Sequence, residues 1–283
     1  MDWLSLTDTY PFISTYNQAS LSGKSVLITG ASRGIGLQTA IHFAKAGCSK
    51  IALAARSPLS SAKLAVEHAS ASSQTPPTII TLALDVSSPD QVQAAAAAVK
   101  NAFGHLDVLI NNAGHLTAFQ NIGESDPLAY WQTWETNIHG TYLCTRAFLP
   151  LLLDSTLKTV INITSSGAHV VMPGASAYQA SKFALCRLTE FLDAEYGGKG
   201  LVAIALNPGG VKTELARAMP GYMMGYLTET VELPADTMVW LCRERRSWLG
   251  GRFVTATWDM EELEGRKEEI VEKDLLRFRM AFE

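Results

Sequence analysis

The stretch Ser25-Val26-Leu27-Ile28-Thr29-Gly30-Ala31-Ser32-Arg33-Gly34-Ile35-Gly36 decides how this chain folds. Its first five residues form a short apolar run of the kind that makes a buried strand. Gly30, Gly34 and Gly36 follow, where the backbone must turn sharply. From Gly34 to Ala46 apolar residues recur at helical spacing through Ile35, Ala40, Ile41 and Ala44, and Gly47 stands where a helix C-cap would. Strand, glycine turn and helix in that order form a βα unit suited to phosphate. The free N–H groups and positive dipole end at a helix N-terminus attract an anion, and glycines let the backbone approach it.

The same rhythm continues along the chain. Strands are expected at Ile51–Ala54, Thr78–Ala83, Val108–Asn111, Thr159–Thr164, Leu201–Asn207 and Arg252–Ala256. Helices are expected at Pro58–Ser70, Pro89–Phe103, Leu128–Leu153 and Tyr178–Glu195, with a loop at Ala71–Pro77. Ser88 and Pro89 make a good N-cap and N1 pair. Runs such as Val26-Leu27-Ile28 and Val108-Leu109-Ile110 are uniformly apolar, as strands buried on both faces must be. The expectation is an α/β fold: a doubly wound parallel sheet of Rossmann type in a single domain. Residues 1–20 read as a lead-in, 21–260 as the domain and 261–283 as a solvated helical tail of alternating charge. Within the domain, residues 212–232 break the rhythm. They are rich in methionine and apolar residues, and read either as a lid over a lipophilic substrate or as ordinary surface helices with a buried side.

Composition narrows the function. The chain has 283 residues, 47% hydrophobic and 18% charged, with a net charge of −4. A large core is affordable, and no basic run marks a nucleic-acid face. Cys48, Cys144, Cys186 and Cys242 are widely spaced, which implies reduced, buried thiols in a reducing compartment. The histidines lack metal spacing, so no catalytic metal is expected. Residues 1–16 lack a basic n-region followed by an apolar core, so no signal peptide is read there. The apolar run Ala147–Leu153 is too short to span a bilayer, so a soluble, cytoplasmic protein is expected.

Two features carry chemistry. After the second strand comes Ala54-Ala55-Arg56-Ser57, with no acidic residue to bind a ribose 2′-hydroxyl. Arg56, and Arg33 in the glycine turn, can instead pair with a 2′-phosphate, which favours NADP(H) over NAD(H). Tyr178 and Lys182 stand four residues apart, on one face of their helix. A free phenol near pKa 10 exchanges protons poorly at neutral pH, and a neighbouring ammonium favours the phenolate. Ser165 lies thirteen residues before Tyr178, just past a strand end. In such sheets the ligand sits at the carboxyl ends of the strands, where Ser165 could hydrogen-bond and orient a substrate oxygen.

The spacing Gly30-xxx-Gly34-x-Gly36, the Asn111-Asn112-Ala113-Gly114 run, Ser165, the Tyr178/Lys182 pair and Pro208-Gly209-x-Val211-x-Thr213, in that order, resemble the short-chain dehydrogenase/reductase family. The resemblance spans roughly residues 21–256, and the thirteen-residue gap selects Ser165 over Ser166. It implies cofactor contacts at Gly30, Ser32, Arg33, Ile35, Gly36, Arg56, Ser57, Asp85, Val86, Asn112, Ala113, Gly114, Tyr178, Lys182, Pro208, Gly209, Val211 and Thr213. Asp85 would meet the adenine, and the Pro208–Thr213 segment the nicotinamide carboxamide. It implies a catalytic set of Asn137, Ser165, Tyr178 and Lys182, with Asn137 holding a water that links the lysine to solvent. It also implies pairing of copies through the helices at 128–153 and 178–195, as a homodimer or homotetramer. The tail Trp258-Asp259-Met260-Glu261-Glu262-Leu263 is similar to that of fungal members, many of which act in secondary metabolism.

The expected function is an NADP(H)-dependent oxidoreductase interconverting carbonyl and alcohol on an apolar small molecule, most simply a ketoreductase. Its pocket would be lined by Leu116, Phe119, Val170, Val171, Met172, Met223 and Tyr226, while His115 and His169 read as ordinary loop histidines. A non-redox isomerase or cyclase, or a nucleotide-binding regulator, could use the same fold. A regulator would be free to lose Tyr178 or Lys182, and this chain keeps both.

Overall fold

The computed structural model describes residues 5–15, 21–71 and 75–280. Parts of the expected lead-in (1–4 and 16–20), of the expected loop (72–74) and of the tail (281–283) lie outside the described residues. The element order is β1 (Ser25–Thr29), α1 (Gly34–Lys45), β2 (Lys50–Ala55), α2 (Ser60–Ala69), β3 (Thr78–Ala83), α3 (Pro89–Phe103) and β4 (Val108–Asn111). Then come α4 (Pro127–Trp134), α5 (Thr141–Leu153), β5 (Thr159–Ile163), α6 (Ser176–Tyr196), β6 (Val202–Asn207), α7 (Glu232–Cys242), β7 (Arg252–Thr255), α8 (Met260–Gly265) and α9 (Lys267–Glu272).

All pairs in the seven-stranded sheet are parallel, in the order β3-β2-β1-β4-β5-β6-β7. The chain starts in the middle of the sheet, winds outward through β2 and β3, then returns to wind the other way through β4 to β7. That reversal leaves a crevice at the carboxyl ends of β1 and β4. Every residue of β1, β4, β5 and β6 is buried, because helices cover both faces. On one face α1, α2 and α7 pack through Ala40, Phe43, Val66, Leu233 and Trp240. On the other, α3 and α5 pack through Val92, Val99, Phe148 and Leu152.

The structure corrects three readings. The helix expected at 128–153 is interrupted: α4 passes through a π-helical turn at Glu135–Gly140 into α5. Apolar spacing continues across the turn, so periodicity alone does not reveal it. The helix α7 has no counterpart in the sequence reading. Leu233 to Cys242 are all buried, and a helix buried on every side shows no amphipathic period. The tail is not one solvated helix. It forms the short α8 and α9, which bury Met260, Leu263 and Ile270, and then a segment that lies along the edge strand β7. There Phe253 N donates to Leu276 O at 2.8 Å.

Residues of the lead-in are tied down by a buried polar cluster. His42 Nδ1 of α1 and Asp236 Oδ1 of α7 lie 2.6 Å apart. The Asp236 carboxylate also accepts from Thr9 Oγ1 at 2.5 Å and Thr15 N at 3.3 Å. Nearby, Arg243 donates to the Ile13 and Ser14 carbonyls at 2.8 and 3.0 Å. All four cysteines are buried and free. No helix among the described residues is long and apolar enough to cross a membrane.

Candidate active site

The glycine turn after β1 is held by main-chain geometry. Thr29 Oγ1 accepts from Asn112 N and Ala113 N at 3.0 and 2.9 Å, joining the ends of β1 and β4. Asn112 Nδ2 donates to Thr29 O at 2.8 Å and to Gly30 O at 3.3 Å. Gly30 and Gly34 have φ of +66° and +56°, a left-handed region that disfavours side chains. A Cβ on Gly36 would stand 2.5 Å from both Asn112 Nδ2 and Gly30 O. The backbone can therefore fold tightly against the first turn of α1, whose free N–H groups face the crevice.

Every residue expected at the cofactor lines one cleft of about 500 Å³: Gly30, Ser32, Arg33, Ile35, Gly36, Arg56, Ser57, Asp85, Val86, Asn112, Ala113, Gly114, Tyr178, Lys182, Pro208, Gly209, Val211 and Thr213. Ser165 lines it too, and among the expected catalytic residues only Asn137 does not. Asn137 lies buried in the π-helical turn behind the cleft. Its Nδ2 donates to His115 O and Ser181 Oγ, both at 3.0 Å, and its Oδ1 accepts from His115 N at 2.8 Å. Both amide hydrogens are thus spent on protein partners.

At the cofactor end, Arg56 Nη1 lies 3.9 Å from Asp85 Oδ2, and Arg33 Nε lies 2.9 Å from Glu214 Oε2. Burial pushes the Asp85 carboxyl up, but the Ser87 hydroxyl and amide and the Arg56 charge outweigh it and hold the group below its ordinary value. Both ion pairs are largely exposed, so each is worth at most about 1 kcal/mol and can yield to a phosphate dianion.

At the catalytic end, α6 carries Tyr178 and Lys182 one turn apart, with Lys182 Nζ 5.5 Å from the Tyr178 ring centroid. Lys182 Nζ donates to Ile163 O at 2.7 Å, which ties the helix to the end of β5. Burial pushes the Tyr178 phenol up to about 12, and a hydrogen bond with Ser165 draws it part of the way back. Burial pushes the Lys182 ammonium down to about 8. Ser165 caps a short 3₁₀ turn, its Oγ accepting from Gly167 N at 3.0 Å.

The substrate side departs from expectation. Leu116, Phe119 and His115 line the cleft, but Val170, Val171, Met172, Met223 and Tyr226 do not. Val171 is 99% exposed and Tyr226 76%. The segment after β6 instead contributes Leu215, Ala216, Ala218, Met219 and Leu227. It coils as 3₁₀ turns at Leu215–Ala218 and Gly221–Tyr226; the first lies along the cleft, and the second leaves Tyr222 and Tyr226 exposed. His169 lies away from the cleft, exposed on one side and packed against Phe253 and Phe278 on the other.

Sequence reasoning missed several residues that build the site. Glu229 Oε2 accepts from Gly210 N at 2.8 Å and braces the Pro208–Val211 segment. Asn111 Nδ2 donates to Asn162 Oδ1 at 2.8 Å and Thr145 Oγ1 at 3.0 Å, cross-linking β4, β5 and α5. Asn162 Nδ2 extends this chain to Thr189 of α6 at 2.9 Å. Asn111 ends the apolar β4 and Asn162 stands inside the apolar β5, a cost unless such a residue finds a partner, and that was the available signal. Glu229 had no local signal.

A family model described as short chain dehydrogenase matches residues 24–221. The chain belongs to the short-chain dehydrogenase family. The short chain dehydrogenase citE of Monascus ruber is 48% identical over 99% of this chain and 96% of its own length. The short chain dehydrogenase andI of Emericella variicolor is 44% identical over 93% of this chain and 91% of its own. Among solved structures, a 3-ketoacyl-(acyl-carrier-protein) reductase of Brucella melitensis complexed with NADH superposes with a TM-score of 0.73 at 28% identity, covering 83% of this chain and 97% of that one. A short chain dehydrogenase of Shigella flexneri complexed with NADP gives a TM-score of 0.75 at 27% identity, covering 85% and 99%. This short-chain dehydrogenase is therefore an oxidoreductase by family, similar along nearly its whole length to fungal relatives.

Proposed function

We propose that this short-chain dehydrogenase is an NADP(H)-dependent oxidoreductase that interconverts a carbonyl and an alcohol on a mostly apolar small molecule, acting as a ketoreductase. The observation that carries the reading is the convergence of Tyr178, Lys182 and Ser165 on the cleft bordered by the glycine turn. The residues present fit a dinucleotide: glycines where a Cβ would collide, a helix N-terminus, Arg33 in the glycine turn, and Arg56 with no acid at the end of β2. Arg56 and Arg33 would hold the 2′-phosphate, with Ser57 beside them. Asp85 and Val86 would border the adenine, Asn112 to Gly114 the adenosine and ribose, and Pro208 to Thr213 the nicotinamide.

When bound, the nicotinamide supplies or accepts the hydride. The chain's own groups manage the oxygen. Ser165 Oγ donates a hydrogen bond to the carbonyl oxygen and orients it. Tyr178 Oη passes its proton to that oxygen as negative charge develops there. With its pKa pushed up to about 12 by burial, the phenol is protonated at neutral pH and starts reduction as an acid. Lys182 lowers the cost of the phenolate once the proton has left. Asn137 braces the loop at His115 and the hydroxyl of Ser181 beside Lys182. Leu116, Phe119, Leu215, Met219 and Leu227 give an apolar wall that suits a lipophilic ketone. The fungal relatives and the similar tail favour a substrate from secondary metabolism. Exposed Leu128, Trp131 and Tyr142, with Phe183 and Phe191 of α6, support a homo-oligomer paired through these helices.

Fluorescence titration of NADPH and NADH tests the cofactor. Wild type should prefer NADPH, and Arg56→Ala should weaken NADPH by about 10- to 100-fold while leaving NADH unchanged. Equal binding of both by wild type would sink the cofactor assignment. Tyr178→Phe should cut NADPH-dependent ketone reduction by about 10³-fold with NADPH affinity kept. Retained turnover would remove Tyr178 from the acid/base role.

A further inference from the structure

The family match ends at residue 221, yet the chain continues as an ordered segment that reaches back to the catalytic elements. Its anchors are specific. Arg252 Nη1 meets Asp274 Oδ1 at 3.0 Å, and Arg277 Nη2 donates to Asp193 Oδ2 at 2.9 Å and Gly250 O at 3.0 Å. Phe278 N donates to Glu190 Oε1 at 3.1 Å. Leu276 is held at φ +63°, a conformation that survives only where the surroundings impose it.

These contacts deliver one ring to one place. Phe278 stacks on His169 with centroids 4.8 Å apart, and His169 stands edge-on to Phe253 at 4.2 Å. Phe278 also meets Phe183 edge-on at 5.0 Å. Phe183 follows Lys182 directly on α6, while His169 closes the turn that Ser165 opens. Inside that turn Gly167 N donates to Ser165 Oγ, Ala168 N to Ser165 O and His169 N to Ser166 O, each at 3.0 Å. Ala168 and Cys186 are buried in the same cluster. One aromatic ring from the C-terminal segment therefore joins the turn of Ser165 to the helix of Tyr178 and Lys182. None of His169, Phe253 and Phe278 lines the cleft, so they do not touch substrate there.

We propose that His169 and Phe278 are positioning residues: by stacking Phe278 on His169, the C-terminal segment locks the Ser165 turn against α6 and so sets the alignment of the Ser165 hydroxyl with Tyr178. This rests on the roles given above to Ser165 and Tyr178. The stack supplies the rigidity that a hydroxyl on a short loop lacks, and a misplaced hydrogen-bond donor costs turnover more than binding.

The test uses the full chain as wild type, Phe278→Ala and Phe278→Tyr. Hydrogen exchange is followed in residues 163–172 and, as a control, in residues 28–38. NADPH affinity is titrated, and kcat and KM are measured with 9,10-phenanthrenequinone and NADPH. Phe278→Ala should speed exchange in 163–172 by about tenfold or more while 28–38 is unchanged. Its kcat should fall on the order of tenfold, with KM and NADPH affinity within about twofold of wild type. Phe278→Tyr, which keeps the stacked ring, should restore both exchange and kcat. Unchanged exchange in 163–172, equal loosening of 28–38, or looser exchange with kcat intact would each overturn the proposal. Absence of quinone turnover by wild type would count against the ketoreductase reading, and the exchange comparison would then decide the lock alone.

Discussion

The glycine turn and the segment after β6 face each other across one cleft, and they are built in opposite ways. In the turn, Thr29, Gly30, Asn112 and Ala113 are joined by hydrogen bonds between the backbone and the short side chains of Thr29 and Asn112. Across from it, residues 212–230 coil as 3₁₀ turns with Tyr222 and Tyr226 largely exposed. That segment is tied mainly near its ends. Glu229 holds Gly210, and Thr230 bonds Thr7 O at 2.8 Å and Asp8 Oδ1 at 2.7 Å. Arg33 and Glu214 reach across between the two. A region that must present N–H groups to a phosphate has few solutions, and each depends on backbone conformation. A region that only offers apolar surface has many, and it can vary without disturbing the rest.

The strongest way to break this contrast is to add one methyl group to the rigid side. Gly36→Ala places a Cβ 2.5 Å from Gly30 O and Asn112 Nδ2. Neither the backbone oxygen nor the pinned amide can retreat without opening the turn. The expected cost is about 3 kcal/mol in urea unfolding, with NADPH binding lost in the folded fraction. A variant that unfolds like wild type and still binds NADPH would show that the turn is far softer than its hydrogen bonds imply.

The second effect concerns Lys182, which lines the same cleft from α6. Its folded pKa of about 8 lies below the ordinary lysine value of 10.5. Below pH 8 the side chain is charged in both states, and the folded protein bears the full burial penalty. Between pH 8 and 10.5 the folded state has released its proton while the unfolded chain still holds it, so the penalty fades as pH rises. Wild type should therefore gain stability relative to Lys182→Met by on the order of 2–3 kcal/mol between pH 7 and 10. Raised thiol and phenol groups occur in both proteins and cancel in the difference. Paired denaturant melts at the two pH values measure it, and a difference independent of pH would mean the ammonium is well solvated in place.

The same contrast explains what the sequence revealed. All seven expected strands were legible to within about one residue; those buried on both faces are bounded apolar runs, and the half-exposed β3 is a β-branched run bounded by proline and aspartate. That the glycine turn, Asn112 and the two arginines would meet at one cleft was legible because these residue types stand there for local geometric or charge reasons. The substrate side was not. Which of Leu215, Met219, Met223 and Tyr226 faces the cleft depends on how the segment coils and on where Glu229 anchors it, and neither is written locally. His169 shows the same limit. Its partners Phe253 and Phe278 lie 84 and 109 residues downstream, so only the fold brings them together. The interruption at Asn137 was hidden because apolar spacing runs across the π-helical turn, although an asparagine in mid-helix already pointed to something other than helix propensity.

The smallest predicted effect is the most selective test of that division. Met219 lines the cleft from the exposed segment and is half-buried. Met219→Ala removes part of an apolar wall and nothing from the turn. For an apolar ketone the loss should be on the order of 1 kcal/mol, about a fivefold rise in KM, with kcat and NADPH affinity unchanged. Steady-state kinetics and a parallel NADPH titration read the two sides separately. A matching loss of NADPH affinity would mean that the segment and the turn respond as one unit. The Arg33–Glu214 pair would then be the first link to examine, since it joins the substrate wall to a residue proposed for the 2′-phosphate. Glu214→Gln in the Met219→Ala background would decide the matter. If the pair carries the coupling, NADPH affinity stops responding to position 219 once the charge at 214 is gone.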